Sequence, residues 1–293
     1  MKKFIAIDIG GTAIKYGIIS EKGDILEKDR KPSQAHLGGS HIIQSVINII
    51  ESYLNVMTVE GICVSTAGIV DPVAGKIIHA NENIPNYTGI NIKEIIENRF
   101  SIPCIVENDV ACAGLAEIST EENVVSGICL TIGTGIGCSV IVDNKVFHGA
   151  SYSAGEVGYM NILGGQLEEL ASTSALVKSI AKIKGDEPDL WNGLRIFEEA
   201  KKGDKDCIQE IDKLCHVLGC GIANICYVLN PEIVIIGGGI AEQGDYLYDL
   251  IRFYMDKYLI EEIGKNTKLR FAKLGNDAGM IGAFYNYKKQ LER

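Results

Sequence analysis

No stretch of this sequence approaches the length of a membrane span, no two cysteines form a C-x-x-C pair, and no basic run exceeds two residues. The first absence leaves no membrane-crossing helix to expect. The second removes a zinc knuckle or redox dithiol from the nine cysteines, at 63, 104, 112, 129, 138, 207, 215, 220 and 226. They are odd in number and mostly embedded in apolar runs, where Cys behaves as a small hydrophobe, so reduced thiols are expected. The third absence, with 28 Lys plus Arg against 38 Asp plus Glu and a formal charge of -10, argues against nucleic acid as a partner. Linkers, low-complexity tracts and long charge blocks are also missing. Met1-Lys2-Lys3 ahead of an apolar stretch hints at a signal peptide, but Asp8 interrupts that stretch after four residues. A cytoplasmic location is therefore expected.

At 293 residues, 46% hydrophobic and 23% charged, the chain has material for two full cores. Its organising stretch runs from Phe4 to Ile19. An apolar run reaches Asp8, breaks at Gly10-Gly11-Thr12 and resumes through Lys15 as a second apolar run, the pattern of a hairpin. Glycines at such a bend leave backbone amides unshielded and open a concavity that suits phosphate; ordinary turn chemistry is the plainer alternative. A second copy decides between them. Val125 to Ile132, Gly133-Thr134-Gly135-Ile136-Gly137, Cys138 to Val142 and Lys145 to His148 repeat the plan of residues 4–30. A duplicated plan points to two similar domains facing one another. A dinucleotide fingerprint is excluded at Gly133, because a strand and not a helix follows the glycines.

Between the copies, helical spacing runs from Gly39 to Leu54 and from Ile90 to Phe100, with buried strands at Val59–Thr66 and Pro103–Glu107. Residues 67–72 read as a loop and residues 81–87 as a polar surface turn. Asn108-Asp109 caps a helix to about Ala116. Beyond the second copy, helices are expected at 167–183, 191–201, 206–229, 246–259 and 278–291, with strands at 232–236 and 268–272.

Five ordered motifs carry a family resemblance: Asp8-Ile-Gly-Gly-Thr12, Glu107-Asn108-Asp109, Thr131-Ile-Gly-Thr-Gly-Ile-Gly137, Gly155-Glu156-Val-Gly158, and Asn230-Pro231 with Gly237-Gly238-Gly239. In this order they resemble the ROK proteins, a family of sugar kinases and sugar-responsive repressors, over Phe4 to about Tyr285. The resemblance implies an α/β fold of two actin/hexokinase-like (ribonuclease H-like) lobes, each a mixed sheet flanked by helices, with a cleft between. Residues 1–117 plus 278–293 would form the smaller lobe and 118–277 the larger. It further implies ATP contacts at Asp8, Gly10, Gly11, Thr12, Gly133, Thr134, Gly135 and Gly237 to Gly239, and sugar contacts at Gly68, Asn108, Asp109, Glu156, Tyr159 and Glu168. Asp109 would be the catalytic base and Asp8 the Mg2+ environment, through water. A homodimer is the family's common assembly.

Departures from the family pattern refine this. Tyr159 stands where most members have a zinc-bound His, and the stretch Met160 to Ser172 holds no Cys or His, so no structural zinc is expected. Gly-Glu-x-Gly-Tyr-Met with a Gly275-Asn-Asp-Ala-Gly279 ending looks most like the bacterial β-glucoside kinases, which phosphorylate the 6-hydroxyl of a glucosyl unit. N-acetylmannosamine kinase and glucokinase are the near alternatives. A sugar-responsive regulator is disfavoured, because regulators of the family carry a helix-turn-helix domain ahead of the first phosphate loop, and here the first strand starts at about residue 4.

The residues themselves keep plainer roles open. Asn108-Asp109 suits a helix cap, a role compatible with a carboxylate that faces a sugar. Asp8 suits a strand end that orders the turn. Lys15 reaches phosphate or faces solvent. Tyr159 packs on a pyranose ring or in a core. Asn83, Pro85, Asn86 and Tyr87 form a candidate rim for the sugar.

Overall fold

β-Branched residues in alternation build the first sheet. The structure, a computed structural model, describes residues 1–291 and divides into two compact units. Unit 1 comprises Met1–Glu122, Asn144–Ala154 and the chain from Asn276. Its strands β1 (Lys3–Ile9) and β2 (Ala13–Ser20) form the expected hairpin, and β3 (Ile25–Pro32) extends it to an antiparallel meander. Helix α1 (Gly39–Leu54) returns the chain to β4 (Gly61–Thr66), parallel to β1. A small hairpin, β5 (Ile69–Asp71) and β6 (Lys76–His79), replaces the loop expected at 67–72. Helix α2 (Ile92–Phe100), capped by Asn91 on the Glu94 amide, leads to β7 (Cys104–Asn108), parallel to β4, and then α3 (Asp109–Ile118). The sheet order is β3-β2-β1-β4-β7.

Alternation sorts this sheet's two faces. Ile5, Ile7, Ile9, Ile62, Val64, Cys104 and Val106 point to the side covered by α1 residues such as Ile42 and Ile50. Phe4, Ala6, Cys63 and Ile105 point to the other side, against Met280, Ala283 and Phe284 of a helix near the C-terminus. The same period places Asp8, Ser65 and Glu107 on that second side, at the C-terminal ends of three adjacent strands.

Unit 2 comprises Asn123–Asp143 and Gly155–Gly275. Strand β8 (Gly127–Ile132) pairs antiparallel with β9 (Ile136–Val142), and the short β10 (Lys145–Val146) that follows in sequence lies in the 144–154 segment of unit 1. After a second small hairpin, β11 (Asn161–Ile162) with β12 (Gly165–Gln166), come α4 (Leu167–Ala171), α5 (Thr173–Lys184), α6 (Gly193–Lys201) and α7 (Lys205–Leu229). Strand β13 (Ile233–Gly237) lies parallel to β8, α8 (Asp245–Tyr258) and α9 (Glu261–Asn266) follow, and β14 (Lys268–Phe271) pairs parallel with β13. The final helix, α10 (Ala278–Leu291), belongs to unit 1.

Further expectations change. The single helix expected over 167–183 is two, because Ser172 takes an extended backbone and caps α5 by accepting from the Ala175 amide. Asn144–Ala154, expected in the larger lobe, groups with unit 1, where His148 of this segment pairs with Glu107 and Lys289 of α10 donates to the Asn144 carbonyl. Residues 292 and 293, expected in the smaller lobe, lie outside the described residues. Finally, α7 at 25 residues is long and apolar enough, by length and composition, to cross a membrane, where no stretch of that length is expected from the sequence. Leu214, Leu218, Ile222 and Cys226 of α7 lie in the buried core of unit 2.

Candidate active site

In unit 1 the strand ends converge on Asp8, which is 8% exposed. Its cross-strand neighbours are Lys15 on β2 and Ser65 on β4, and these are its partners. The Ser65 hydroxyl donates to Oδ1 at 2.7 Å and the Lys15 ammonium to Oδ2 at 3.3 Å. Lys15 is therefore an ion-pair partner of Asp8, a role that neither of the alternatives read from sequence, phosphate or solvent, included. From the other side Gly279 closes on Asp8: a Cβ at 279 would stand 2.5 Å from the carboxylate.

Asn108 is both cap and clamp. Its Oδ1 accepts from the Ala111 amide at 3.0 Å, closing the first turn of α3. Its Nδ2 donates to the Gly68 carbonyl at 2.9 Å and to Asp109 Oδ1 at 3.1 Å. Asp109 Oδ1 also accepts from the Val110 amide at 2.9 Å. Among the described residues no hydrogen bond engages Oδ2. Asp109 thus has one oxygen fixed by the helix start and one left to accept a proton.

Its acidity follows from its surroundings. Although Asp109 keeps some solvent exposure, loss of hydration raises its pKa most and the Asp8 charge raises it further. The hydrogen bonds from the Val110 amide and Asn108 offset part of this, and the carboxyl is pushed up to about 7. A carboxylate in that range changes protonation near neutrality, which suits a general base.

The first glycine bend sits beside this site in sequence. The Gly10 amide donates to the Ala13 carbonyl at 3.0 Å, and buried Ser33 pins the bend by donating its hydroxyl to the Gly11 carbonyl and its amide to the Thr12 carbonyl. Thr12 and Gly11 are exposed. Nothing within 4 Å would meet a Cβ at Gly11. The fold leaves room for a side chain there, so the bare backbone serves what approaches from outside.

Unit 2 carries the second bend. The Gly133 amide donates to the Gly135 carbonyl at 3.0 Å and its carbonyl accepts from the Thr173 amide, at the start of α5, at 2.9 Å. A Cβ at Gly133 or Gly239 would also stand in open space, and with Thr134 both line a cavity of about 980 Å3 reaching Trp191 and Glu242. Gly237 ends β13, where a Cβ would approach the Ala272 side chain to 3.3 Å. Gly238 is structural: at φ +86° its Cβ would fall 2.2 Å from the Ile132 carbonyl oxygen. The Glu168 carboxylate lies against the same bend, accepting from the Ile136 amide at 3.4 Å, close to Gly135 and Gly158.

Glu156 precedes and Tyr159 ends a 3-10 turn, Val157–Tyr159, and both are exposed, Tyr159 at 60%. Tyr159 is therefore a surface ring and not a core residue. Tyr87 is the reverse: expected on a polar rim, it is fully buried with its hydroxyl 2.7 Å from Thr66 Oγ1. Burial pushes its phenol pKa up and the Asp109 charge adds to that, against the lowering effect of the Thr66 bond. Ser33 and Ser65 carry the site without having been singled out from sequence, and Gly279 was noted there only as the end of a motif. Each acts across distant segments, so only strand register and helix packing reveal it.

Each unit opens on an antiparallel strand pair joined at a bare glycine bend, and unit 1 also places a near-neutral carboxylate at a helix start; bends of this kind suit phosphate, and a carboxylate of this kind suits a proton acceptor. The particular family is ROK, whose sequence profile matches residues 4–290, and the chain belongs to it. It is 31% identical over 297 residues to a β-glucoside kinase of Klebsiella pneumoniae, covering 98% of this chain and 96% of that one. Among solved structures it resembles a ROK family protein of Streptococcus pneumoniae in complex with sucrose (TM-score 0.88, 26% identity, 99% of each chain). It also resembles a ROK family glucokinase of Streptomyces griseus in complex with glucose and AMPPNP (TM-score 0.79, 27% identity, 97% of this chain and 98% of that one).

The Asp109 assignment has a stability signature. Its folded pKa, about 7, lies above the ordinary 3.8, so between these values the folded state binds more protons than the unfolded. The group therefore costs no stability at low pH and an increasing amount as pH rises through that window. Asp109→Asn is expected to raise the denaturation midpoint by a margin that grows from pH 4 to about 7 and then levels off. A margin that is flat or shrinks across that range in urea titrations would contradict the assignment.

Proposed function

We propose that this ROK-family sugar kinase transfers the γ-phosphoryl group of ATP to the 6-hydroxyl of a glucosyl unit, in the manner of a β-glucoside kinase. The carrying observation is Asp109, fixed through Oδ1 at the start of α3, open at Oδ2, and titrating near neutrality. In the reaction the sugar oxygen bonds to the γ-phosphorus as its proton passes to Asp109, while the bond to the β–γ bridging oxygen breaks and ADP leaves. The bare backbones at Gly11, Gly133 and Gly239 suit phosphate oxygens, and the unit 2 cavity has the volume for a nucleoside. Glu156, Tyr159 and Glu168 are the unit 2 candidates for sugar contact.

Asp8 fits a magnesium ion only through water. Each of its oxygens already accepts one hydrogen bond, and among the described residues no group of three potential metal-ligating side chains gathers. A hydrated Mg2+ needs few protein carboxylates, and when bound it supplies neutralisation of phosphate charge. The reading includes no structural zinc. The glucosyl acceptor is favoured by the named β-glucoside kinase relative and by the sucrose complex, whereas the glucose complex favours glucokinase as the second reading.

ADP release measured with glucose, cellobiose, gentiobiose and N-acetylmannosamine decides among these. The highest kcat/KM is expected on a β-linked disaccharide, with Asp109→Asn losing at least about 100-fold in kcat and sugar KM changing only a few-fold. Preference for N-acetylmannosamine, or near-normal turnover by Asp109→Asn, would overturn the reading. Gly11→Ala tests the nucleotide side. Because its Cβ meets nothing, stability should stay within about 0.5 kcal/mol while the KM for ATP rises roughly tenfold; an unchanged KM would remove that bend from the ATP site.

A further inference from the structure

Glu107 precedes the Asn108-Asp109 pair and is 1% exposed. A carboxylate so deep needs partners on both oxygens, or burial would strongly disfavour its charge. Oε1 accepts from the Asn108 backbone amide at 2.9 Å. Oε2 meets His148 Nε2 at 2.8 Å and accepts from Asn286 Nδ2 at 3.3 Å. Three separate segments of unit 1 thus meet on one side chain: β7, the 144–154 segment and α10. Alternation on β7 puts Glu107 on the α10 side of the sheet, where these partners can reach it.

The bonds run onward in one direction. Glu107 holds the Asn108 amide, at the point where the strand's extended backbone gives way to α3. Asn108, so fixed, caps Ala111 and holds Asp109 Oδ1. The geometry points to Glu107, anchored by His148 and Asn286, as the positioning residue that sets the orientation of Asp109, and this rests on the reading of Asp109 as the base. Glu107 touches neither sugar nor nucleotide in this scheme. It fixes the backbone from which the base projects, and small misplacements of a base cost up to about 100-fold in rate. His148 also lines a cavity of about 550 Å3 together with Tyr152 and Lys289, so a small molecule can reach the space its ring fills.

The experiment compares Glu107→Gln, His148→Ala, His148→Gln, Asp109→Asn and the Glu107→Gln/Asp109→Asn double variant by ADP release. Each is assayed with whichever of the four sugars above wild type turns over fastest. Glu107→Gln and His148→Ala are expected to lose about 10- to 100-fold in kcat with sugar KM within about threefold. His148→Gln, which keeps a donor, and free imidazole added to His148→Ala are each expected to recover activity, a result that general loosening of the fold does not give. In the Asp109→Asn background, Glu107→Gln should cost nothing more, because both act through one group. If Glu107→Gln fails to fold, the His148 pair and imidazole rescue carry the test. Glu107→Gln and His148→Ala within twofold of wild type, with Asp109→Asn inactive, would overturn this inference alone. Near-normal turnover by Asp109→Asn would overturn both it and the base assignment, and additive losses in the double variant would overturn the positioning role.

Discussion

Asp8 and Asp109 repel one another, and the Lys15 ammonium is bonded to Asp8. Lys15 reaches Asp8 because the hairpin register sets them opposite. Among the described residues no cation is paired with Asp109. Like charge and lost hydration then act in the same direction on the unpaired member, while its helix-start hydrogen bonds act against them. The asymmetry separates two roles on one patch of protein: an aspartate tied down by hydroxyl and ammonium, and an aspartate poised to take a proton. The rest of unit 1 serves that separation. Parallel pairing of β1, β4 and β7 brings Asp8, Ser65 and Glu107 to one sheet face, and the missing side chain at Gly279 lets α10 close over it.

The two units use glycine for different physical ends. At Gly238 and Gly155 a side chain would collide with backbone oxygens, and the φ angles are positive, so the fold itself requires glycine. At Gly11, Gly133 and Gly239 a Cβ would meet nothing. A bend that is bare without needing to be is a surface shaped for something external. The open positions lie at the first bend of each unit and just past β13, where the second unit's parallel strands end.

Much of this was legible in the sequence, for reasons tied to particular residues. The Phe4 to Ile19 stretch announces its hairpin because alternation and the glycine break are local signals, and the Gly39 to Leu54 helix follows from spacing alone. Asn108-Asp109 could be read as a cap, and Asn108 does cap α3 while Asp109 keeps one oxygen outside the helix-start hydrogen bonds. Nonlocal pairings were not legible. Ser65 becomes an Asp8 partner through parallel register, Ser33 pins the first bend across a strand, and Tyr87 is drawn inward by Thr66 although its neighbours are polar. The break at Ser172 was hidden by apolar periodicity that runs through it, because periodicity records which face is buried and not whether one helix or two supply it. The motif residue Glu107 was visible, but its role depends on His148 and Asn286, which only the folded chain brings to it.

The central claim is that burial and Asp8 together hold Asp109 near neutrality. Titration of carboxyl-labelled aspartate by NMR, in wild type and in Asp8→Asn, tests it most directly. The account expects Asp109 to titrate at about 7 in wild type and lower once Asp8 is neutral. An Asp109 resonance titrating near the ordinary 3.8 in wild type, or one unmoved by Asp8→Asn, would contradict it.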